Sequence, residues 1–363
     1  ELAQLAKANG IGFTIDAEES ERLELSLEVI VAVFSDPSLD GWNGYGLAVQ
    51  AYQKRAPFVI DYLVDAARRI GRRMPMRLVK GAYWDSEIKK AQVDGLDGYP
   101  VFTRKANTDL SYLACAQKMF AAHDALYPMF ATHNAQTISA IFQMSEGRAF
   151  EYQRLHGMGE HLYAEVIGKE HMNIPCRVYA PVGSHEDLLP YLVRRLLENG
   201  ANSSFVNRIT DANVAPAELV ADPIATVSSF ENKAHPHIPT PNAIFGNERK
   251  NSMGVLLSND STLSQLATDI ASAMKNWQAT PLVPNSTSSA PFTETTNPAD
   301  RRQIVGRWQA ADNGQVSKAL DIAHAAYPAW DHTPATARAK TLEHAADLLE
   351  KNMPEIIALC IKE

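Results

Sequence analysis

Between residues 1 and 200, apolar positions alternate between a helical period and short, strand-length runs. Residues 1–9 carry the helical spacing and stop at Gly10, a favoured helix C-cap. Ile11–Ile15 is strand-like and ends in Asp16-Ala-Glu-Glu19; an amphipathic helix then spans roughly Ser20–Phe34. Gly46–Tyr52 is the next apolar run, with Gln50 near its end, and a helix follows around Pro57–Gly71. After the turn-like Arg72–Pro75, a third strand is expected over Arg77–Trp84. A long connection, Asp85–Asp109, leads to a helix through Ser111–His123. Pro128–Ala131 ends in Thr132-His-Asn134, and a helix around Gln136–Met144 leads to Phe150–Leu155, which ends in His156-Gly-Met-Gly159. Cys176–Ala180 is the sixth strand, and a helix from Ser184 or His185 to Glu198 stops at Asn199-Gly200.

Strand–helix alternation of this kind predicts an α/β protein with parallel strands and right-handed crossovers. An open doubly wound sheet and a closed barrel both satisfy it. Nearly every strand ends in polar or cationic side chains, which points to the barrel, whose C-terminal rim builds a site from several strand ends at once. Six units are visible where a complete barrel has eight, so two are expected before Glu1. The mid-helix start and the abrupt Ile361-Lys-Glu363 finish give the same expectation, that this is a piece of a longer protein.

Past Asn207 the character changes. Asp211–Asn259 is rich in Pro, Asn and Ser without a sustained period, and is expected to be a wrapping linker. Leu263–Trp277 is an amphipathic helix and Val283–Pro291 a Ser-rich loop. A new segment opens at Asn297, with a strand at Ile304–Gly306 and helices at Gly314–Tyr327 and Ala335–Lys351. The expected division is a barrel over 1–209, a linker with one helix over 210–296, and the start of a further domain over 297–363.

Composition narrows the function classes. At 363 residues the chain suits two domains, and its net charge of −8 argues against a general nucleic-acid surface. Cys115, Cys176 and Cys360 are widely spaced, with no CxxC pair, as in a reduced, cytoplasmic protein. No apolar run reaches the ~18 residues of a membrane span, and no signal peptide is visible.

The chemistry sits at the strand ends. Arg77 and Lys80 can stabilise negative charge, Gly81 permits close backbone approach, and Tyr83 or Trp84 can wall a flat or cyclic partner. Arg194 and Arg195 are adjacent on the last barrel helix and suit a bidentate grip on a carboxylate; Glu198 lies one turn from Arg194, so a surface ion pair is the plainer alternative. Thr103-Arg-Lys105 and Gly157-Met-Gly159 offer cations and backbone N–H groups fit for phosphates. His133, His156 and Asp16 allow a metal-assisted hydrolase or lyase, although no HxH or HExxH spacing is present. A catalytically idle docking or channelling scaffold is a further alternative. Taken together, the cations, glycines and aromatics describe a rim suited to a flavin, with the arginine pair holding an amino acid's carboxylate.

The ordered motifs resemble the proline dehydrogenase domain of the bifunctional proline utilization A (PutA) family. They are Asp16-Ala-Glu-Glu19, Val49-Gln-Ala-Tyr-Gln-Lys-Arg55, Arg77-Leu-Val-Lys-Gly-Ala-Tyr-Trp84, Phe130-Ala-Thr-His-Asn134, Gln153-Arg-Leu-His-Gly-Met-Gly159, Arg177-Val-Tyr-Ala-Pro-Val182 and Leu192–Asn202. Asn297-Pro-Ala-Asp-Arg-Arg302, followed by Val305-Gly306, resembles the opening of an aldehyde dehydrogenase domain. The resemblance implies a distorted (βα)8 TIM-like barrel, here without its first strands, that binds FAD and oxidises L-proline to 1-pyrroline-5-carboxylate by hydride transfer to flavin N5. A quinone would receive the electrons, with peripheral membrane association, a homo-oligomer, and DNA binding only if an arm precedes Glu1. NAD would serve the aldehyde dehydrogenase domain, whose nucleophilic cysteine lies beyond Glu363. Carried over by motif, Arg194 and Arg195 bind the proline carboxylate. Tyr83, Leu155 and Tyr179 wall its ring, with Asp16 beside it. Gln50, Arg77, Val79, Lys80, Gly81 and Trp84 contact the FAD, as do Thr103, Arg104, Lys105, Thr132, His133, Asn134, Gln153 and Glu198. No residue is assigned to a metal.

Overall fold

The computed structural model of the chain describes residues 1–200, 215 and 220–363; within its last barrel helix, the side chains of Arg194 and residues 197–200 lie outside the description. The chain forms two compact units, Glu1–Ser258 and Asn259–Glu363.

In the first unit, α1 (Leu2–Ala8) precedes β1 (Phe13–Ile15). A short 3-10 turn leads into α2 (Leu23–Phe34), followed by β2 (Tyr45–Gln50) and α3 (Ala56–Ile70). Next come β3 (Met74–Val79), α4 (Trp84–Val93), α5 (Lys105–Ala121) and β4 (Leu126–Ala131). The series ends with α6 (Ala135–Ser145), β5 (Glu151–Leu155), α7 (Glu160–Ile167), β6 (Cys176–Tyr179) and α8 (His185–Gly200). All six strands are parallel and ordered as in sequence. Side chains from the two edge strands meet: the Tyr179 hydroxyl, at the end of β6, donates to Asp16 Oδ2, just past β1, at 3.4 Å. A flat sheet would hold these groups with four strands between them, so the sheet curls into a partial barrel.

Alternation within β3 shows how the curl is filled. Met74, Met76 and Leu78 are fully buried, while Pro75, Arg77 and Val79 point to the other face and are half-buried. The layer behind the sheet is aromatic: Phe120, Phe130, Phe150 and Tyr152 pack with successive centroids 5.2, 5.7 and 5.0 Å apart. The core therefore lies between sheet and helices, and the opposite face is left for polar side chains.

The third strand starts earlier and stops sooner than its apolar run suggested. β3 pairs with β2 only as far as Gln50 opposite Val79. Gly81 then takes a φ of 132°, which breaks the extended path, and Trp84 opens α4. That helix occupies part of the segment expected to be a long connection. Its polar sequence hides two buried anchors, Ile88 and Ala91, and a buried carboxylate, Glu87, which accepts both the backbone N–H and the hydroxyl of Ser20 at 2.6 Å. The α7 helix had no counterpart in the sequence reading.

Past the barrel, α9 (Pro223–Ser228) and the extended segment to Ser258 belong to the first unit. This segment crosses the loop after α4 at a point where only glycines fit. The Gly254 N–H donates to Gly95 O at 3.0 Å, and a Cβ on either glycine would lie 1.8 Å from a carbonyl oxygen of the other chain segment.

The second unit contains α10 (Asp260–Ala273), β7 (Trp277–Ala279), β8 (Phe292–Asn297) and β9 (Asp300–Gln309). Helices α11 (Asn313–Asp331), α12 (Ala335–Lys351) and α13 (Met353–Lys362) complete it. Trp277, expected at a helix end, is in a strand, because Gly306 lets β9 approach its carbonyl closely. Among the described residues, no helix is long and apolar enough to cross a membrane.

Candidate functional site

The C-terminal strand ends converge on a mouth with two sides. On the first side, Arg77 projects from β3 and makes an ion pair with Asp16, while its guanidinium carbon lies 5.3 Å from the centroid of the Tyr179 ring. Arg77 is 12% exposed, so this cation is fixed by a carboxylate on one flank and a ring on another. Leu155 stands opposite Tyr179 in the strand register. Tyr83 is held over the same rim through its hydroxyl, which donates to Glu18 Oε2 at 2.8 Å. Glu18 has no expected role of its own, although it lies in the first motif.

His133 lies just past β4, and its Nε2 accepts the Leu155 N–H at 3.1 Å. Burial, then the positive fields of Arg154 and Arg195, lower its pKa to about 4, so the ring is neutral near pH 7. The Arg195 guanidinium sits 5.1 Å from the Tyr191 ring centroid, one helical turn back. The Arg194 and Glu198 side chains lie outside the described residues.

These contacts bear on the metal alternative. His133 and Asp16 are committed to protein partners, and His156 has an exposed side chain. Among the described residues, no group of three His, Cys, Asp or Glu side chains is arranged to hold an ion.

The second side of the mouth is cationic. Lys80 pairs with Asp109, which also receives Lys105 at 2.8 Å. Burial works to raise the Asp109 carboxyl, but the Lys80 and Lys105 ammonium groups outweigh it and leave it below the usual carboxylate range. Two ammoniums against one carboxylate leave a net positive charge where α5 begins. That helix carries no side-chain cap on its first N–H groups, and Arg104 precedes it. Trp84 stands alongside, its indole N–H donating to Phe102 O at 2.9 Å. Asp109 escaped the sequence reading, although its i,i+4 spacing from Lys105 was available as a signal.

The remaining expected contacts are anchored in the strands. Buried Gln50 accepts from Gln53 Nε2 at 2.7 Å and donates to Ala17 O at 3.2 Å; its neighbour in register is Val79. Gln153 donates to Glu151 at 2.8 Å, and Glu151 is gripped by Arg177 at 2.9 and 3.0 Å. Asn134 caps α6 through the Thr137 N–H, and Thr132 Oγ1 accepts the Asn134 N–H at 3.2 Å. Gly81 also packs against the core. An added Cβ would lie 2.4 Å from the Tyr52 ring, so the close approach it permits is to this buried aromatic.

The donor set fits a flavin dinucleotide. An uncapped helix N-terminus with Arg104, Lys105 and Lys80 suits the pyrophosphate, and a fixed guanidinium beside aromatic walls suits a ring on which charge develops.

Comparisons with known proteins agree with this architecture. The sequence matches the proline dehydrogenase family over residues 1–208 and the aldehyde dehydrogenase family over residues 285–363. It is 50% identical to the bifunctional protein PutA of Klebsiella aerogenes and 48% identical to that of Rhizobium meliloti, each over the whole chain. It covers 29% and 30% of those proteins respectively, so the chain spans under a third of their length. A crystal structure of a proline utilization A mutant from Bradyrhizobium japonicum superposes with a TM-score of 0.84 at 49% identity, covering 98% of this chain and 33% of that one. With its curled parallel sheet and family match over most of the first unit, this chain belongs to the proline dehydrogenase family, followed by the opening of an aldehyde dehydrogenase domain.

Proposed function

We propose that the protein oxidises L-proline to 1-pyrroline-5-carboxylate with FAD, passing the electrons to a quinone. The observation that carries this reading is the family match over residues 1–208, the same stretch whose strand ends build the mouth. When bound, FAD would supply the two-electron oxidising power for this reaction, in which proline C5 gives up hydride, the ring nitrogen gives up its proton and the C5=N bond forms. The chain's own residues do the rest. Arg194 and Arg195 grip the carboxylate, and Tyr83, Leu155 and Tyr179 form an apolar slot for the pyrrolidine ring. Asp16 holds Arg77 and Tyr179 in register beside that slot. Gln50, Arg77, Val79, Lys80, Gly81, Trp84, Thr103, Arg104, Lys105, Thr132, His133, Asn134, Gln153 and Glu198 form the cofactor's bed. Arg77 offers a cation where negative charge accumulates, and Lys80, Arg104 and Lys105 neutralise phosphate.

In this reading residues 1–209 are the proline dehydrogenase, 210–296 a linker and 297–363 the start of an NAD-dependent aldehyde dehydrogenase. The longer protein would carry the product on to glutamate, from the cytoplasm or the inner membrane surface, as a homo-oligomer. Replacing Arg195→Met tests the substrate assignment. The apparent KM for L-proline should rise by about two orders of magnitude, as expected when a charge-assisted grip worth ~3 kcal/mol is lost. An unchanged KM would remove Arg195 from the carboxylate site.

A further inference from the structure

Beyond the family match, the segment from Phe230 to Pro239 is fastened along the start of α5 by contacts that serve one side chain above all. Arg104 donates from Nε to Ala234 O at 2.8 Å, and its guanidinium carbon lies 4.1 Å from the centroid of the Phe230 ring. Around it, Asn107 donates to Lys233 O at 2.8 Å, the His235 N–H donates to Thr103 Oγ1 at 3.0 Å, and the Tyr99 hydroxyl donates to Pro239 O at 2.7 Å. Phe230 is itself set in place, because Lys233 folds back and donates to Val227 O at 2.8 Å, tying the end of α9. Downstream, the Gly254–Gly95 crossing pins the segment again.

The arginine's edge is tied and its face is covered. Among the described residues, its two terminal nitrogens make no protein hydrogen bond, and its own backbone stands at the N-cap of α5, which has no side-chain cap. A long flexible cation normally loses rotamer freedom when it grips an anion; one already clamped has little left to lose.

We propose that residues 230–239 are a working part of the cofactor site, pre-positioning Arg104 and Thr103 for the phosphate-bearing part of FAD. The proposal rests on the reading that Arg104 contacts that cofactor. It also predicts that the dinucleotide site extends past the stretch that matches the proline dehydrogenase family.

The test measures FAD dissociation constants on apoprotein by fluorescence quenching, for Phe230→Leu, Arg104→Met and the double variant. Phe230→Leu should weaken FAD about tenfold, Arg104→Met at least as much, and the double variant no more than Arg104→Met, since both act through one group. If Arg104→Met weakens FAD while Phe230→Leu stays within twofold, the clamp is overturned and the cofactor role of Arg104 stands. If Arg104→Met has no effect, that role falls and the clamp with it. Full additivity would also overturn the clamp. Should Phe230→Leu fail to fold, the exposed Lys233→Met takes its place, with weakening of about threefold supporting the proposal and no change overturning it.

Discussion

The Arg77 guanidinium lies over the Tyr179 ring, at 5.3 Å, while the Tyr179 hydroxyl reaches the carboxylate of Asp16, the same group that pairs with Arg77. Three strand ends, far apart in sequence, are thus locked into one triangle. Substituting Tyr179 separates its two contributions. Tyr179→Phe keeps the ring under Arg77 and loses only a long hydrogen bond, so kcat/KM for proline should fall by a few-fold. Tyr179→Leu removes the face that steadies the cation, worth ~1–2 kcal/mol, and should cost about five- to thirtyfold. Steady-state assays with an artificial electron acceptor decide; equal losses in both variants would contradict the role of the ring.

His133 makes stability depend on pH. Its pKa is about 4 in the folded chain against an ordinary value of 6.5, so between these the unfolded chain binds more protons. The contribution is fully present above about pH 6.5 and is lost as pH falls toward 4. Urea midpoints measured from pH 7 to pH 4 should drop less steeply in His133→Gln, which retains an acceptor for the Leu155 N–H. Parallel profiles would show that the imidazole does not titrate as described.

Gly81→Ala should be strongly destabilising. Its φ of 132° is closed to residues with a side chain, and the new Cβ would meet the Tyr52 ring at 2.4 Å. A loss of ~2–4 kcal/mol is expected, visible as a Tm drop of several degrees. A drop under one degree would mean that the loop rearranges freely.

Ser20→Ala removes one of the two donors that satisfy the buried Glu87 carboxylate. The expected cost is ~1.5–3 kcal/mol in denaturant unfolding, with the 3-10 turn before α2 becoming more open to proteolysis. Wild-type stability and cleavage would show that Glu87 finds solvent instead.

The barrel was legible because its apolar runs are short, evenly alternating with helical stretches, and end in polar residues such as Gln50, Lys80 and Thr132. Helix α4 was not, since its surface is almost wholly polar and its buried carboxylate answers a serine 67 positions earlier. Spacing along the chain carries no record of such pairs. Lys80 finds Asp109 29 residues away, and Arg104 finds its carbonyl partner 130 residues away. Gly81 shows a subtler limit: the sequence signalled that something comes close to it, and only the packed chain identifies the Tyr52 ring.

Anaerobic titration of the flavin-loaded protein with L-proline is the most direct check on the two-sided mouth. The protein should be yellow, with an absorbance near 450 nm that bleaches on adding L-proline, at about one FAD per chain. A protein that takes up FAD and keeps its full colour under saturating L-proline would contradict it.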